Sequence, residues 1–109
     1  MPVAAYRVMW LFAMFDLPVD SKANRKEYAQ FRKRLLGAGF TMLQYSVYAK
    51  HLPSEEASES LRATVRAALP SRGQVRLLAV TDHQFGKMDV FYGRKRRAAE
   101  DPPMQITLF

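Results

Sequence analysis

The sequence contains no cysteine among its 109 residues. A disulfide scaffold, a zinc site built on thiolates and a cysteine nucleophile are therefore excluded. Long apolar runs are also missing, because the most apolar stretch covers only residues 8–17 and ends in Asp16 and Pro18. This stretch is too short for a membrane span and has no small-residue cleavage site. We therefore expect no membrane partner, no signal peptide and a cytoplasmic location.

Familiar catalytic motifs are absent too. The sequence has no glycine-rich phosphate-binding loop and no HExxH zinc motif. His51 and His83 do not stand in the context of a catalytic triad. A self-contained enzyme with its own substrate pocket is therefore not expected.

Positive charge is what the sequence has in excess. The 17 Lys and Arg residues outnumber the 10 Asp and Glu residues and give a formal net charge of +7, which favours nucleic acid as a partner through counterion release. With 49% hydrophobic residues, the chain has enough apolar material for one core. We expect a single domain over residues 1–109, with its core at about 6–92 and a basic linker and C-terminal strand at 93–109.

The first half of the chain predicts a strand, a helix and a second extended segment. Residues 6–17 are almost continuously apolar and aromatic, as in a central strand. A helix capped by Asp20 or Ser21 follows and ends at the sequence GAG. Residues 40–52 are rich in aromatic and branched residues, which predicts an extended segment with a bulge or a change of pairing near residues 44–46.

The second half of the chain completes an α+β pattern. Ser54 is predicted to cap a second helix that ends before Pro70. The remaining segments are predicted as a strand at residues 74–81, a turn at 82–87, a short extended piece at 88–92 and a terminal strand at 104–109. This order predicts a ferredoxin-like βαββαβ fold with an added C-terminal strand, in which two helices cover one face of an antiparallel sheet.

The other face of such a sheet is left for solvent or a partner. The first strand is aromatic on both sides, which favours a partner over solvent. A homodimer stacked sheet on sheet is the expected arrangement. The terminal segment at residues 104–109 is then predicted to add to a sheet edge, either of its own protomer or of the opposite one, and we favour the opposite protomer.

Asp16 is the one suggestive acid, because a carboxylate at the end of an apolar strand needs a hydrogen bond, a capping role or a cation. Capping of the turn that follows is one interpretation. The other is a metal or catalytic role. If the first strand ends near a two-fold axis, Asp16 and its symmetry mate are placed to share one Mg²⁺ or Mn²⁺ that activates water against a phosphodiester.

Basic residues cluster in two places. The solvent face of the first predicted helix and the segment after the last core strand supply the candidate nucleic-acid-binding residues, which are Lys22, Arg25, Lys26, Arg32, Lys33, Arg94, Lys95, Arg96 and Arg97. A charged helix face is as often merely solvated. Four consecutive cations repel one another and gain little from folding, so the second cluster is predicted to contact phosphates.

The sequence also resembles a known family. The segments MFDLPVDSKANRKEYAQFRKRLLGAGFTMLQYSVYAK and VRLLAVTDHQFGKMDVFYG are similar to the CRISPR-associated protein two family in its type II form, and the similarity extends from Trp10 to Gly93. The resemblance implies a ferredoxin-like homodimer that bridges integrase subunits, CRISPR-associated protein one, during spacer acquisition. It also implies a magnesium-dependent endonuclease or endoribonuclease with Asp16 as metal ligand. Ser46 matches the serine of the QYSVY motif, for which we expect a role in shaping the bulge.

Three functional hypotheses follow. The first is a homodimeric scaffold that binds duplex DNA within the integrase complex. The second is a Mg²⁺-dependent endoribonuclease or endonuclease that uses paired Asp16 carboxylates. The third is a free-standing RNA-binding or toxin-like protein of the same fold, which gene neighbourhood separates from the other two.

Overall fold

Three helices and six strands succeed one another in the computed structural model, which describes residues 8–102. In chain order they are β1 (Met9–Asp16), α1 (Lys22–Gly37), β2 (Thr41–Gln44), β3 (Val47–Leu52), α2 (Glu55–Ala67), β4 (Gln74–Thr81), α3 (Asp82–Gly86), β5 (Val90–Tyr92) and β6 (Lys95–Arg97). No helix within this described part is long and apolar enough to cross a bilayer.

The first four strands form one antiparallel sheet in the order β2-β3-β1-β4. Helix α1 connects β1 to β2 and helix α2 connects β3 to β4, so each helix crosses over one intervening strand. This is the predicted ferredoxin-like α+β arrangement, and it is confirmed.

Both long helices begin at the predicted serine caps. The Ser21 side chain accepts a hydrogen bond from the Asn24 amide at 3.0 Å, and the Ser54 side chain accepts one from the Ala57 amide at 3.2 Å. Each bond satisfies one of the amides that have no partner inside the first helical turn.

The main core lies between the sheet and the two long helices. Alternate residues of β1 point to this side because side chains along a strand alternate between the two faces. The buried cluster includes Leu11, Ala13, Phe15, Phe31, Leu35, Leu61 and Val65. The prediction that both long helices cover one face is therefore confirmed, and we call the opposite face of the sheet the open face.

A short helix covers one end of the open face. Trp10 stacks on Phe85 of α3, with 3.9 Å between ring centroids and 8° between planes, and its indole N–H donates to the Asp82 carboxylate at 2.7 Å. Residues 82–87 were predicted to be a turn, and that was wrong in part. Thr81 and Gln84 form a reciprocal capping box, which stabilises a turn of helix too short to show apolar periodicity.

Residues 40–52 are two strands that pair with each other. The chain reverses at Tyr45 and Ser46, and the register shifts between Met42 and Gln44. Ser46 has a φ of 64°, in the left-handed region that tight turns use. The irregularity predicted near residues 44–46 is thus a hairpin turn, which lacks the glycine or asparagine that usually reveals one.

The predicted basic linker is also partly wrong. Residues 95–97 form strand β6, which pairs with β5 through a turn in which Gly93 has a φ of 63°. Two of its cations also find partners on β5 or beside it, as described below. The predicted C-terminal strand at residues 104–109 lies outside the described residues.

Gly73 fixes the approach of β4 to the end of β1. Its φ is 92°, and a Cβ atom at this position would lie 2.6 Å from the Asp16 carbonyl oxygen and 2.7 Å from the Leu17 Cδ2 atom. Both the backbone conformation and the space therefore exclude a side chain.

We expect Gly73→Ala to lower the free energy of unfolding by about 2 kcal/mol or more, from the left-handed penalty and the clash together. Gly37→Ala is the matched control, because a Cβ atom there meets nothing within 4 Å. That variant should match or exceed the wild type by about 0.5–1 kcal/mol. Urea unfolding at fixed protein concentration, followed by the fluorescence of the single tryptophan, measures both. Equal losses in the two variants would refute this account of Gly73.

Candidate functional site

Asp16 lies at the last position of β1 and is exposed on the open face. Its cross-strand partner is Gln74, the first residue of β4. Within residues 8–102 the Asp16 carboxylate makes no hydrogen bond or ion pair, so the predicted capping role is not observed there. The side chain is therefore available to a ligand.

The neighbouring turn holds this end of β1 in place. The Phe15 amide donates to the Ser46 carbonyl oxygen at 3.0 Å, which ties the hairpin between β2 and β3 to the strand that carries Asp16. Ser46 thus has the turn-shaping geometry expected from its place in QYSVY. Tyr45, beside it, is 88% exposed.

The residues around Asp16 decide whether it could hold a metal ion. Among the described residues, no group of three or more His, Asp or Glu side chains is placed to hold a metal ion. Mg²⁺ accepts one or two carboxylates and keeps several waters. Residues 8–102 of a single protomer therefore do not by themselves form a metal site, and a second Asp16 or substrate oxygens could complete one.

The second predicted basic cluster forms the β5–β6 hairpin, which we call the basic hairpin. Its register pairs Tyr92 with Lys95 and Phe91 with Arg96, so the cations project from both faces of the hairpin. Arg94 lies in the turn, and residues 94–97 are all exposed. The hairpin therefore presents positive charge on both faces and at its tip.

Two of these cations have partners. Arg96 Nη2 lies 2.7 Å from Asp89 Oδ1, with both side chains more than 60% exposed at 68% and 64%. The Arg97 guanidinium lies 4.7 Å from the centre of the Tyr92 ring. Both contacts are exposed, and exposed pairs of this kind contribute only about 0.2–1 kcal/mol, so Arg96 and Arg97 gain little from folding in spite of them. The hairpin remains positively charged in spite of these two contacts.

The basic residues predicted on α1 are exposed as well. Lys22, Arg25, Lys26, Arg32 and Lys33 all face solvent, and Arg25 donates to the Val19 carbonyl oxygen at 3.1 Å. Helix α1 packs on the helix side of the sheet, whereas a cavity on the other side joins the basic hairpin to Phe12 and Val47 of the open face. The two basic clusters therefore lie on opposite sides of the sheet.

Sequence reasoning missed the contact between His51 and Asp82. His51 Nε2 lies 3.7 Å from Asp82 Oδ1, is buried, and has no hydrogen-bond partner within residues 8–102. Asp82 already accepts the Trp10 indole N–H. The two residues are 31 positions apart, so only the tertiary fold brings them together.

The comparisons with known proteins decide the family. The family model described as CRISPR associated protein Cas2 matches residues 9–88. The chain belongs to the Cas2 family. The match covers all four strands of the sheet and all three helices, and it stops before the basic hairpin.

Curated Cas2 relatives match nearly the whole chain. A protein of Parvibaculum lavamentivorans named CRISPR-associated endoribonuclease Cas2 is 50% identical over 93% of this chain and 100% of its own length. Proteins of the same name from Paracidovorax avenae and Flavobacterium psychrophilum are 42% and 39% identical, over 98% and 95% of this chain and 99% and 90% of their own lengths. The resemblance stated from the motifs is therefore confirmed.

Proposed function

We propose that this Cas2 chain is a homodimeric scaffold in CRISPR spacer acquisition that holds duplex DNA by its phosphates, within a complex with the integrase subunit, CRISPR-associated protein one. The observation that carries the proposal is the basic hairpin, because its four consecutive cations are exposed on both faces and at the tip. Consecutive exposed cations are suited to phosphate contacts, which position a duplex without reading its sequence.

Apolar exposure on the open face supports the dimer. Leu78 of β4 is 50% exposed there, and Phe12 and Met14 of β1 are partly exposed. A monomer gains nothing from leaving such side chains in water, whereas a second copy would cover them. Asp16 lies on the same face, and in this dimer it would lie at the rim of the interface.

Binding of wild-type protein to unrelated duplexes tests the DNA part of the proposal. Affinity should be about equal for duplexes of different sequence and should fall steeply with salt, since about 0.9 counterions are released for each phosphate neutralised. Titrations by fluorescence anisotropy at several salt concentrations measure both quantities. Affinity that is independent of salt, or confined to one sequence, would refute the proposal.

The segment at residues 104–109 is predicted to strengthen the dimer by adding to the partner's sheet edge. Its deletion should raise the dimer dissociation constant by roughly tenfold or more, which corresponds to about 1.4 kcal/mol. Sedimentation equilibrium measures the change. A variant with the same length but glycine and serine at these positions should dissociate like the deletion. An unchanged dissociation constant in both variants would show that no strand is exchanged.

A second candidate function is a metal-dependent nuclease. It is favoured by the name endoribonuclease carried by the relatives and by the exposed, unpaired Asp16 carboxylate. In this candidate the two Asp16 residues of a dimer would hold Mg²⁺ or Mn²⁺. The scaffold is preferred because one exposed carboxylate per chain, with no general base beside it among the described residues, is a sparse site for hydrolysis.

A further inference from the structure

Arg76 is distinct among the cations of the sheet. Strands β1 and β2 contain no Lys or Arg, β3 contains Lys50, and β4 contains Arg76. Lys50 points to the helix side, where its Nζ donates to the Ala38 carbonyl oxygen at 2.7 Å and so completes the end of α1. Arg76 is paired with Met14 and therefore points to the open face. It is the one Lys or Arg that the four-stranded sheet presents there.

Arg76 lies diagonally across from Asp16 on the open face. Asp16 is paired with Gln74, two residues before Arg76 on the same face of β4. Diagonal neighbours in an antiparallel pair are about 7–8 Å apart, within reach of a long side chain. Even so, no carboxylate among residues 8–102 lies within ion-pair distance of the Arg76 guanidinium.

Gln74 holds the Arg76 side chain in a position where it does not pair with a carboxylate. Arg76 Nε donates to Gln74 Oε1 at 3.0 Å, so the side chain is held by a neutral group and both Nη groups remain without partners in the described structure. No carboxylate neutralises the guanidinium, and the edge formed by its two Nη groups is free. That edge matches the geometry of two phosphate oxygens.

We propose that Arg76, oriented by Gln74, is a phosphate-binding residue that contacts a phosphodiester of duplex DNA next to Asp16. The inference rests on the proposed function and adds a contact at the sheet, remote in sequence from the basic hairpin. Arg76, Gln74 and Asp16 are all exposed, whereas the opposite end of the open face is covered by α3, whose Phe85 packs on Trp10. An interface between two copies places its apolar part at the centre and its polar part at the rim, where DNA has access.

Salt titrations of duplex binding test the contact. Arg76→Gln should lower the magnitude of the salt slope by about 0.9 for each Arg76 that the duplex contacts, or up to about 1.8 for a dimer. Gln74→Glu should produce a similar change without removing any arginine, because the new carboxylate would pair with Arg76. The matched control is Arg62→Gln on α2, where Arg62 Nε also donates to a neutral side chain, Ser58 Oγ, at 3.3 Å. That variant should keep the wild-type slope.

The outcomes separate this inference from the proposed function. If wild-type protein binds duplex with a steep salt slope and Arg76→Gln keeps that slope, the Arg76 contact is refuted and the scaffold proposal stands. An equal fall in Arg62→Gln would refute it as well, since the effect would then be one of net charge. If Arg76→Gln instead raises the dimer dissociation constant in sedimentation, Arg76 belongs to the interface between copies and the inference is wrong. Failure of the wild type to bind duplex overturns both.

Discussion

Replacement of all four cations of the basic hairpin by alanine should reduce the affinity for duplex DNA by roughly 100-fold at low salt and lower the salt slope by about 2 to 4 for each hairpin that the duplex contacts. The range reflects the partners of the four residues. Arg94 and Lys95 make no side-chain hydrogen bond or ion pair within residues 8–102, whereas Arg96 pairs with Asp89 and Arg97 lies over Tyr92. The loss should be the same for every duplex sequence, because phosphate contacts carry no sequence information.

A lysine variant separates charge from shape. Arg94→Lys, Arg96→Lys and Arg97→Lys together keep the net charge of the hairpin but remove the guanidinium groups. Because lysine binds phosphate as a point charge, this variant should keep most of the salt slope. Thermal unfolding of both variants should stay close to that of the wild type, since the Arg96 ion pair and the Arg97 ring contact are exposed and stabilise the fold only weakly. A salt slope in the alanine variant equal to that of the wild type would exclude the hairpin from DNA binding.

Asp16→Asn should abolish any metal-dependent hydrolysis that the purified protein shows and leave its fold and dimer intact. The change removes the charge and nearly preserves the shape, and Asp16 is exposed without a partner in the described structure. The activity should fall by roughly 100-fold or more. Loss of a residue that only supports a metal ligand already costs up to about 100-fold. Cleavage of labelled RNA and duplex DNA with and without Mg²⁺ or Mn²⁺ measures it.

Asp101→Asn provides the control for Asp16, because Asp101 is another exposed acid of the same charge. It should keep the wild-type rate. Hydrolysis that survives in Asp16→Asn would mean that the activity comes from other residues or from a contaminating nuclease. In either case the measured hydrolysis would not depend on Asp16.

The order of the main elements could be predicted because the local signals agree with one another. The apolar run of β1, the serine caps at Ser21 and Ser54, and the alternation of residues 74–81 each indicate the structure that forms. The fold class follows from that order. Helix α3 and strand β6 could not be predicted, since a five-residue helix and a three-residue strand are too short for periodicity to appear.

The candidate site shows a similar division. Asp16 could be singled out because a carboxylate ends an apolar strand, and residues 94–97 because four cations stand together. Arg76 gave no such signal, because a lone arginine in a strand is ordinary until the register places it beside Gln74 and opposite Met14. The contact between His51 and Asp82 likewise depends on the packing of α3 against the sheet.

Spacer acquisition in cells tests the central claim most directly, with the Asp16→Asn protein and the variant that lacks all four hairpin cations compared against wild type. If the protein is a DNA-binding scaffold, cells with Asp16→Asn should acquire spacers at close to the wild-type rate, and cells with the hairpin variant should acquire few or none. Immunoblots establish equal protein levels. Loss of acquisition with a folded, DNA-binding Asp16→Asn dimer would contradict the scaffold and make the carboxylate chemistry the function.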